Sequence, residues 1–211
     1  MRFRSLITVL LLVACCGLVQ ADPAPRILIL LGDGEYHTSE TLTAFTKEVL
    51  QPAGYQVDLV RASSDDRKSP DCHEFPGLRG ALAKADLLFL STRRRFPVEQ
   101  DLAAIKKWVA DGKPVIGIRT ASRSPAATGH GRQGGQLHAL YLNPDLDPAA
   151  TVVLRGGVPS DPANTEPVAW TWIRPDKGRS FYTSMGGRDD FAQLWFRSLL
   201  LNAVSWSLGD R

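Results

Sequence analysis

Four short stretches of this chain carry side chains that could do chemistry together. The first is Asp33-Gly34-Glu35-Tyr36-His37, where two carboxylates and an imidazole share one glycine-punctuated loop. A carboxylate and an imidazole at this spacing can act as acid and base, with His37 or Glu35 moving the proton, or can bind a metal. The same spacing also suits a structural role, in which Asp33 caps the following turn and Glu35 is solvated. The second stretch is Arg93-Arg94-Arg95. Planar guanidinium forks bind carboxylates, phosphates and sugar hydroxyls, or pair with Asp33 or Glu35 as a salt bridge. The third is Arg119-Thr120, where Arg119 either orients an anion or a polarised carbonyl or locks neighbouring strands as an ion pair. The fourth is a Gly-rich segment with His130 and His138, either of which would supply an acid/base group if the segment folds over the others.

The elements around these stretches explain why they would meet. Arg26 to Leu31 is an apolar run that ends in glycine, the pattern of a strand buried on both faces. A helix is expected over Ser39 to Leu50, N-capped by Ser39, with Leu42, Phe45, Val49 and Leu50 on one face. Strands follow at Gln56–Val60, Asp86–Ser91 and Pro114–Thr120. The helices between them lie at Leu78–Ala83 and after Pro97, the latter burying Leu102, Ile105 and Val109. Residues 121–150 break this rhythm and read as a long irregular segment over the strand ends. Shorter strands are expected at Thr151–Leu154, Pro167–Ile173 and Arg179–Ser184, the last two joined by a turn at Asp176-Lys177-Gly178. A terminal helix over Phe191–Trp206 would bury Phe191, Leu194, Trp195, Leu199, Ala203 and Trp206. Alternating strand and helix imply an α/β fold with a mostly parallel sheet, whose ligands bind at the carboxyl ends of the strands. Asp33, Arg93 and Arg119 each follow such an end.

Composition narrows the function. The 211 residues are 44% hydrophobic and 22% charged, ordinary for a globular domain. The net charge is +3, with 25 basic against 22 acidic residues, and without Arg2 and Arg4 the balance is 23 against 22. Such a balance gives no electrostatic footprint for nucleic acid. Residues 1–21 read as a signal peptide, with a basic start, an apolar run over Leu6–Val19 and a cleavage site ending in Ala21. A single domain over 22–211 is then exported, periplasmic or secreted. Leu12-Val13-Ala14-Cys15 offers a lipobox as the alternative, with the protein anchored at Cys15. No segment is long and apolar enough to be an integral membrane span. Cleavage at Ala21 leaves Cys72 without a disulfide partner. Cys72-His73-Glu74 does not read as a metal cluster, because adjacent residues rarely point at one ion. Neither a cofactor nor a metal site is indicated. Trp170, Trp172 and Tyr182 have the shape to stack on a sugar ring or to pack the core.

Three stretches resemble one family: Leu31-Gly32-Asp33-Gly34-Glu35-Tyr36, the unit Leu90–Gln100 with Gly112–Ala121, and Pro167–Thr171 with Lys177–Gly186. Together they are similar to the ThuA-like (trehalose-utilisation) domain of the class I glutamine amidotransferase-like fold. The resemblance implies a three-layer flavodoxin-like sandwich and action on, or binding of, small carbohydrates such as trehalose-like disaccharides or keto-sugars. On that reading Glu35, His37 and Arg119 are the catalytic candidates. Asp33, Tyr36, Arg93, Arg95, Thr120, His130 and His138 are the substrate-binding ones. The chain also departs from the pattern. Amidotransferases of this fold carry a cysteine nucleophile in the middle of the strand exit that here reads Gly117-Ile118-Arg119-Thr120-Ala121. Arginine stays protonated and is no nucleophile, and Cys72 lies in another loop. Cysteine-dependent amidotransfer is thereby excluded, and any catalysis would be acid/base chemistry on a glycoside or keto-sugar. Gly187 stands where the family commonly has histidine, and the irregular segment 121–150 is shortened relative to the family's. The alternative is therefore a non-catalytic sugar- or protein-binding domain.

Overall fold

The computed structural model describes residues 23–119, 121, 146–158 and 161–209. The leader with its lipobox, Thr120, His130 and His138 lie outside the described residues. The chain runs β1 (Arg26–Gly32), α1 (Thr38–Phe45), β2 (Gln56–Arg61), α2 (Leu78–Leu82), β3 (Leu87–Thr92), α3 (Glu99–Ala110), β4 (Val115–Ile118), β5 (Thr151–Val158), β6 (Asp161–Ile173), β7 (Arg179–Thr183), α4 (Arg188–Phe191) and α5 (Leu194–Leu208).

The seven strands form one sheet in the order β2-β1-β3-β4-β7-β6-β5. Strands β2, β1, β3, β4 and β7 are parallel, and β6 runs antiparallel to both β7 and β5. The apolar run of β1 explains the layering. Ile27, Ile29 and Leu31 point into a core filled by Leu42 and Phe45 of α1, Phe191 of α4, and Phe196 and Leu200 of α5. Leu28 and Leu30 point the other way, against Leu78 and Leu82 of α2 and Ile105 and Trp108 of α3. Each of these five β1 side chains is fully buried, which contributes about 1.5–3 kcal/mol apiece relative to exposure. The result is the expected three-layer, mostly parallel sandwich. Among the described residues no helix is long and apolar enough to cross a membrane.

The helices differ from expectation in phase. Helix α1 begins at Thr38 with His37, not Ser39, in the N-cap position, and widens into π-helical turns over Thr46–Leu50. Helix α3 buries Asp101, Ile105 and Trp108, and Leu102 and Val109 are only half-buried. Asp101 is tolerated there because Arg79 pairs with it at 3.1 Å. The terminal helix is two helices. The break at Ala192-Gln193 resets the phase, so α5 buries Phe196, Leu200, Ala203 and Val204, and Leu194 and Trp195 turn to solvent at 78% and 50% exposure.

Strand β6 is longer than expected. Its register with β7 ends at Ala169 opposite Thr183. Val168 still accepts from Thr183 and Ser184, and Thr165, Glu166 and Pro167 pair with β5, so the β5–β6 ribbon runs past the carboxyl edge of the parallel strands. At the opposite edge, Arg174 closes the β6–β7 turn. It bonds Asp176 and Ser180 in the turn, and the carbonyls of Val109 at 3.2 Å and Lys113 at 2.9 Å beyond α3. Gly112 fits this junction because its φ of +72° is left-handed, and a Cβ there would stand 2.7 Å from the Asp176 carbonyl oxygen.

Candidate functional site

Register brings the loops together. Gly32 is opposite Thr92, and Leu90 is opposite Gly117. Asp33 and Arg93 are therefore neighbours at one edge, with Arg119 one strand further. Ile118 is opposite Thr183, so Ser184 lies beside Arg119. The backbone is unusual at this edge. His37, Arg94 and Arg119 have φ of 55°, 51° and 56°, in the left-handed region. Non-glycine residues persist there only where the surroundings hold them, and such positions cluster at functional sites.

For Arg119 the surroundings are visible. The Tyr182 hydroxyl donates to the Arg119 carbonyl, and the Tyr182 ring packs on Trp170 with centroids 4.5 Å apart. A Cβ on Gly117 would lie 3.3 Å from both Ala121 Cβ and the Tyr182 ring. The strand exit is thus a sharp turn that needs small residues two positions either side of a left-handed centre. The residue at this left-handed position is an arginine. Tyr182 supports that backbone from within the core, and its ring is held by Trp170.

Tyr36 is the centre of the cluster. The Arg119 guanidinium lies 3.7 Å from the centroid of its ring, and that of Arg93 lies 5.2 Å away. Arg93 also donates to the Tyr36 hydroxyl at 2.9 Å. Glu35 bridges two arginines, accepting from Arg93 and pairing with Arg67 at 2.8 Å. Asp33 is 1% exposed. Its Oδ1 accepts the amides of Glu35 at 2.9 Å and Tyr36 at 3.3 Å, the turn-capping role open from sequence. Its Oδ2 is buried with no hydrogen-bond partner among the described residues. Burial pushes the Asp33 carboxyl above its ordinary 3.8. The amides of Glu35 and Tyr36 and the charges of Arg93 and Arg119 oppose that rise without cancelling it.

Asp33, Glu35, Tyr36, Arg93 and Arg119 thus come together. His37 stands at the rim, exposed, with Nδ1 3.4 Å from Glu40, which pairs onward with Arg188 of α4. Arg95 is 1% exposed and supports the edge from beneath, donating to the carbonyls of Gly32 at 2.8 Å and Asp65 at 3.3 Å. It does not line the edge. Gly187 opens α4, and the amides of Gly186 and Gly187 both donate to Asp190 at 2.8 Å. Arg67 was not among the expected site residues, because it lies in a polar loop with no local pattern. Cys72 is buried with its thiol near Arg67 carbonyl and the His73 ring. Among the described residues no group of three or more His, Cys, Asp or Glu side chains is placed to hold a metal ion.

This architecture is a three-layer α/β sandwich on a mostly parallel sheet, with Arg119 at the exit of β4. A crystal structure of a Parabacteroides merdae protein described as ThuA-like superposes with a TM-score of 0.59 at 13% identity, over 88% of this chain and 90% of that one. At that identity the likeness is one of fold, and the chain has the ThuA-like fold. No protein-family model and no curated protein matches the sequence.

Proposed function

We propose that this chain is an exported ThuA-like domain that binds a small carbohydrate at the carboxyl edge of its sheet, without a covalent cysteine intermediate. The observation that carries the reading is the pairing, around Tyr36, of a buried acid with a free oxygen and a guanidinium whose Nε is free among the described residues. Sugars present hydroxyls that both donate and accept, and an aromatic side chain flanked by fixed donors and an acceptor matches them. If the domain turns its ligand over, Asp33 is the proton-transfer group best supported here. It retains a proton more readily than an ordinary aspartate, whereas Glu35 is engaged by Arg67 and Arg93. The alternative, a binding domain without catalysis, is favoured by the arginine in place of a nucleophile.

Calorimetric titration and turnover assays with disaccharides and their keto derivatives test the proposal. Arg119→Ala removes a charge-assisted donor of about 1.5–3 kcal/mol and is expected to weaken binding roughly tenfold or more. A folded wild type that binds none of these ligands overturns the carbohydrate reading. Turnover lost in the variant identifies an enzyme, and binding without turnover identifies a lectin-like domain on an enzyme fold. Export has its own check. The intact mass of the mature protein is expected to correspond to a chain beginning at Asp22, and a lipid on Cys15 would replace that assignment with the anchored form.

A further inference from the structure

We propose that the ligand of this edge is an acidic sugar, an aldonate or uronate, whose carboxylate is met by Arg119. The inference rests on the carbohydrate reading above and names its substrate class.

The charges around Tyr36 do not balance. Three guanidiniums, those of Arg67, Arg93 and Arg119, gather there. Glu35 is a single carboxylate shared by Arg67 and Arg93. Asp33 is the other acid, its carboxyl raised above 3.8 chiefly by burial, so three guanidiniums face two carboxylates. Asp65 stands across Gly34, is exposed, and forms no ion pair among the described residues. Arg119 forms no ion pair among the described residues, though its charge acts on Asp33. It has the Tyr36 ring beneath it, the Ser184 carbonyl 3.4 Å from one Nη, and no acceptor among the described residues for its buried Nε.

A guanidinium drawn partly out of water without a counter-ion is costly, and the cost is relieved by an anion. The ion pair expected of a merely structural Arg119 is absent among the described residues. The Tyr36 ring covers the Arg119 guanidinium, and the N–H groups that Ser184 does not take are left to donate. A carboxylate is the group whose two oxygens match such donors, accepting two parallel bonds. A neutral hydroxyl answers one donor and leaves the charge uncompensated.

Calorimetry at one pH and ionic strength with glucuronate, gluconate, glucose and tartrate, on wild type, Arg119→Lys and Arg119→Gln, tests this. Each variant is first shown to melt cooperatively. The acidic sugars are expected to bind at least tenfold more tightly than glucose. Arg119→Gln is expected to erase that preference, and Arg119→Lys to retain part of it, keeping the charge but losing the fork. Equal binding of glucose and glucuronate, or a preference that survives Arg119→Gln, overturns the inference and leaves the carbohydrate reading standing. Tartrate separates the two ideas in the other direction. If tartrate binds in an Arg119-dependent way and no sugar does, the carboxylate assignment holds and the carbohydrate reading falls. Binding by none of the four overturns both.

Discussion

Arg174→Ala is expected to lower the unfolding free energy by about 3 kcal/mol, read as a drop in the urea midpoint with an unchanged slope. Arg174 is 4% exposed and ties the β6–β7 turn to the end of α3. Its removal takes a donor from the carbonyls of Val109 and Lys113, the former keeping the Gly112 amide, and leaves Asp176 without its cation, and a small side chain cannot admit enough water to replace four bonds. The loss falls at the edge opposite Asp33 and Arg119, so ligand binding by the folded fraction should be unchanged. The same junction predicts a non-additive pair. A Cβ on Gly178 would lie 1.9 Å from an Arg174 guanidinium nitrogen, so Gly178→Ala is expected to be strongly destabilising in the wild type. With Arg174 truncated that obstacle is gone. The double variant should then be clearly more stable than the sum of the two single losses. Strict additivity would mean that the guanidinium moves freely, and would contradict its role as the lock.

The strands were legible because the signal for a buried parallel strand is intrinsic to the strand. Ile27–Leu31 and Leu87–Leu90 are continuous apolar runs, and only a strand between two helical layers buries every residue of such a run. Helix faces were less legible. A helix such as α5, with Leu, Phe, Trp and Val around its whole circumference, has no single stripe for periodicity to find, and the break at Ala192-Gln193 shifts the phase. The early residues of β6 were missed for another reason. Asp161-Pro162-Ala163-Asn164-Thr165 has turn composition, yet its backbone pairs with β5, because a two-stranded ribbon beyond the sheet needs hydrogen-bonding partners more than it needs apolar side chains.

The grouping of Asp33, Glu35, Tyr36, Arg93 and Arg119 was legible because topology, not local pattern, brings them together. Once β1, β3 and β4 are adjacent and parallel, whatever follows each of them shares one edge. What sequence could not assign was the division of labour. Three consecutive arginines give no reason for Arg93 to reach Glu35 and Tyr36 and for Arg95 to turn beneath β1. That choice follows from the left-handed Arg94 between them, which reverses the direction of successive side chains.

Asp33 and Arg119 are expected to report on each other through pH. The folded Asp33 carboxyl binds its proton more tightly than in the unfolded chain, chiefly because burial disfavours the anion. Between its ordinary 3.8 and its folded value the native state therefore holds more protons than the unfolded state, and stability must fall as pH rises. The contribution is fully present below the unfolded pKa and is lost as pH rises through the folded one. Asp33→Asn keeps an Oδ1 for the amides of Glu35 and Tyr36 and cannot ionise. The stability of wild type minus that of Asp33→Asn, from urea unfolding at a series of pH values, should accordingly decrease from pH 4 upward and then level off. Each tenfold gain in proton affinity corresponds to about 1.4 kcal/mol of that decrease. A flat difference would mean that Asp33 is not desolvated. The positive charge of Arg119 counteracts the rise, so Arg119→Ala should move the levelling point to higher pH, and the Asp33 carboxyl carbon should titrate later in the same variant by NMR. An unmoved Asp33 titration would mean that the two side chains do not share a field. An acid and a base brought to one edge by strand register would then be neighbours in the fold without being partners in a site.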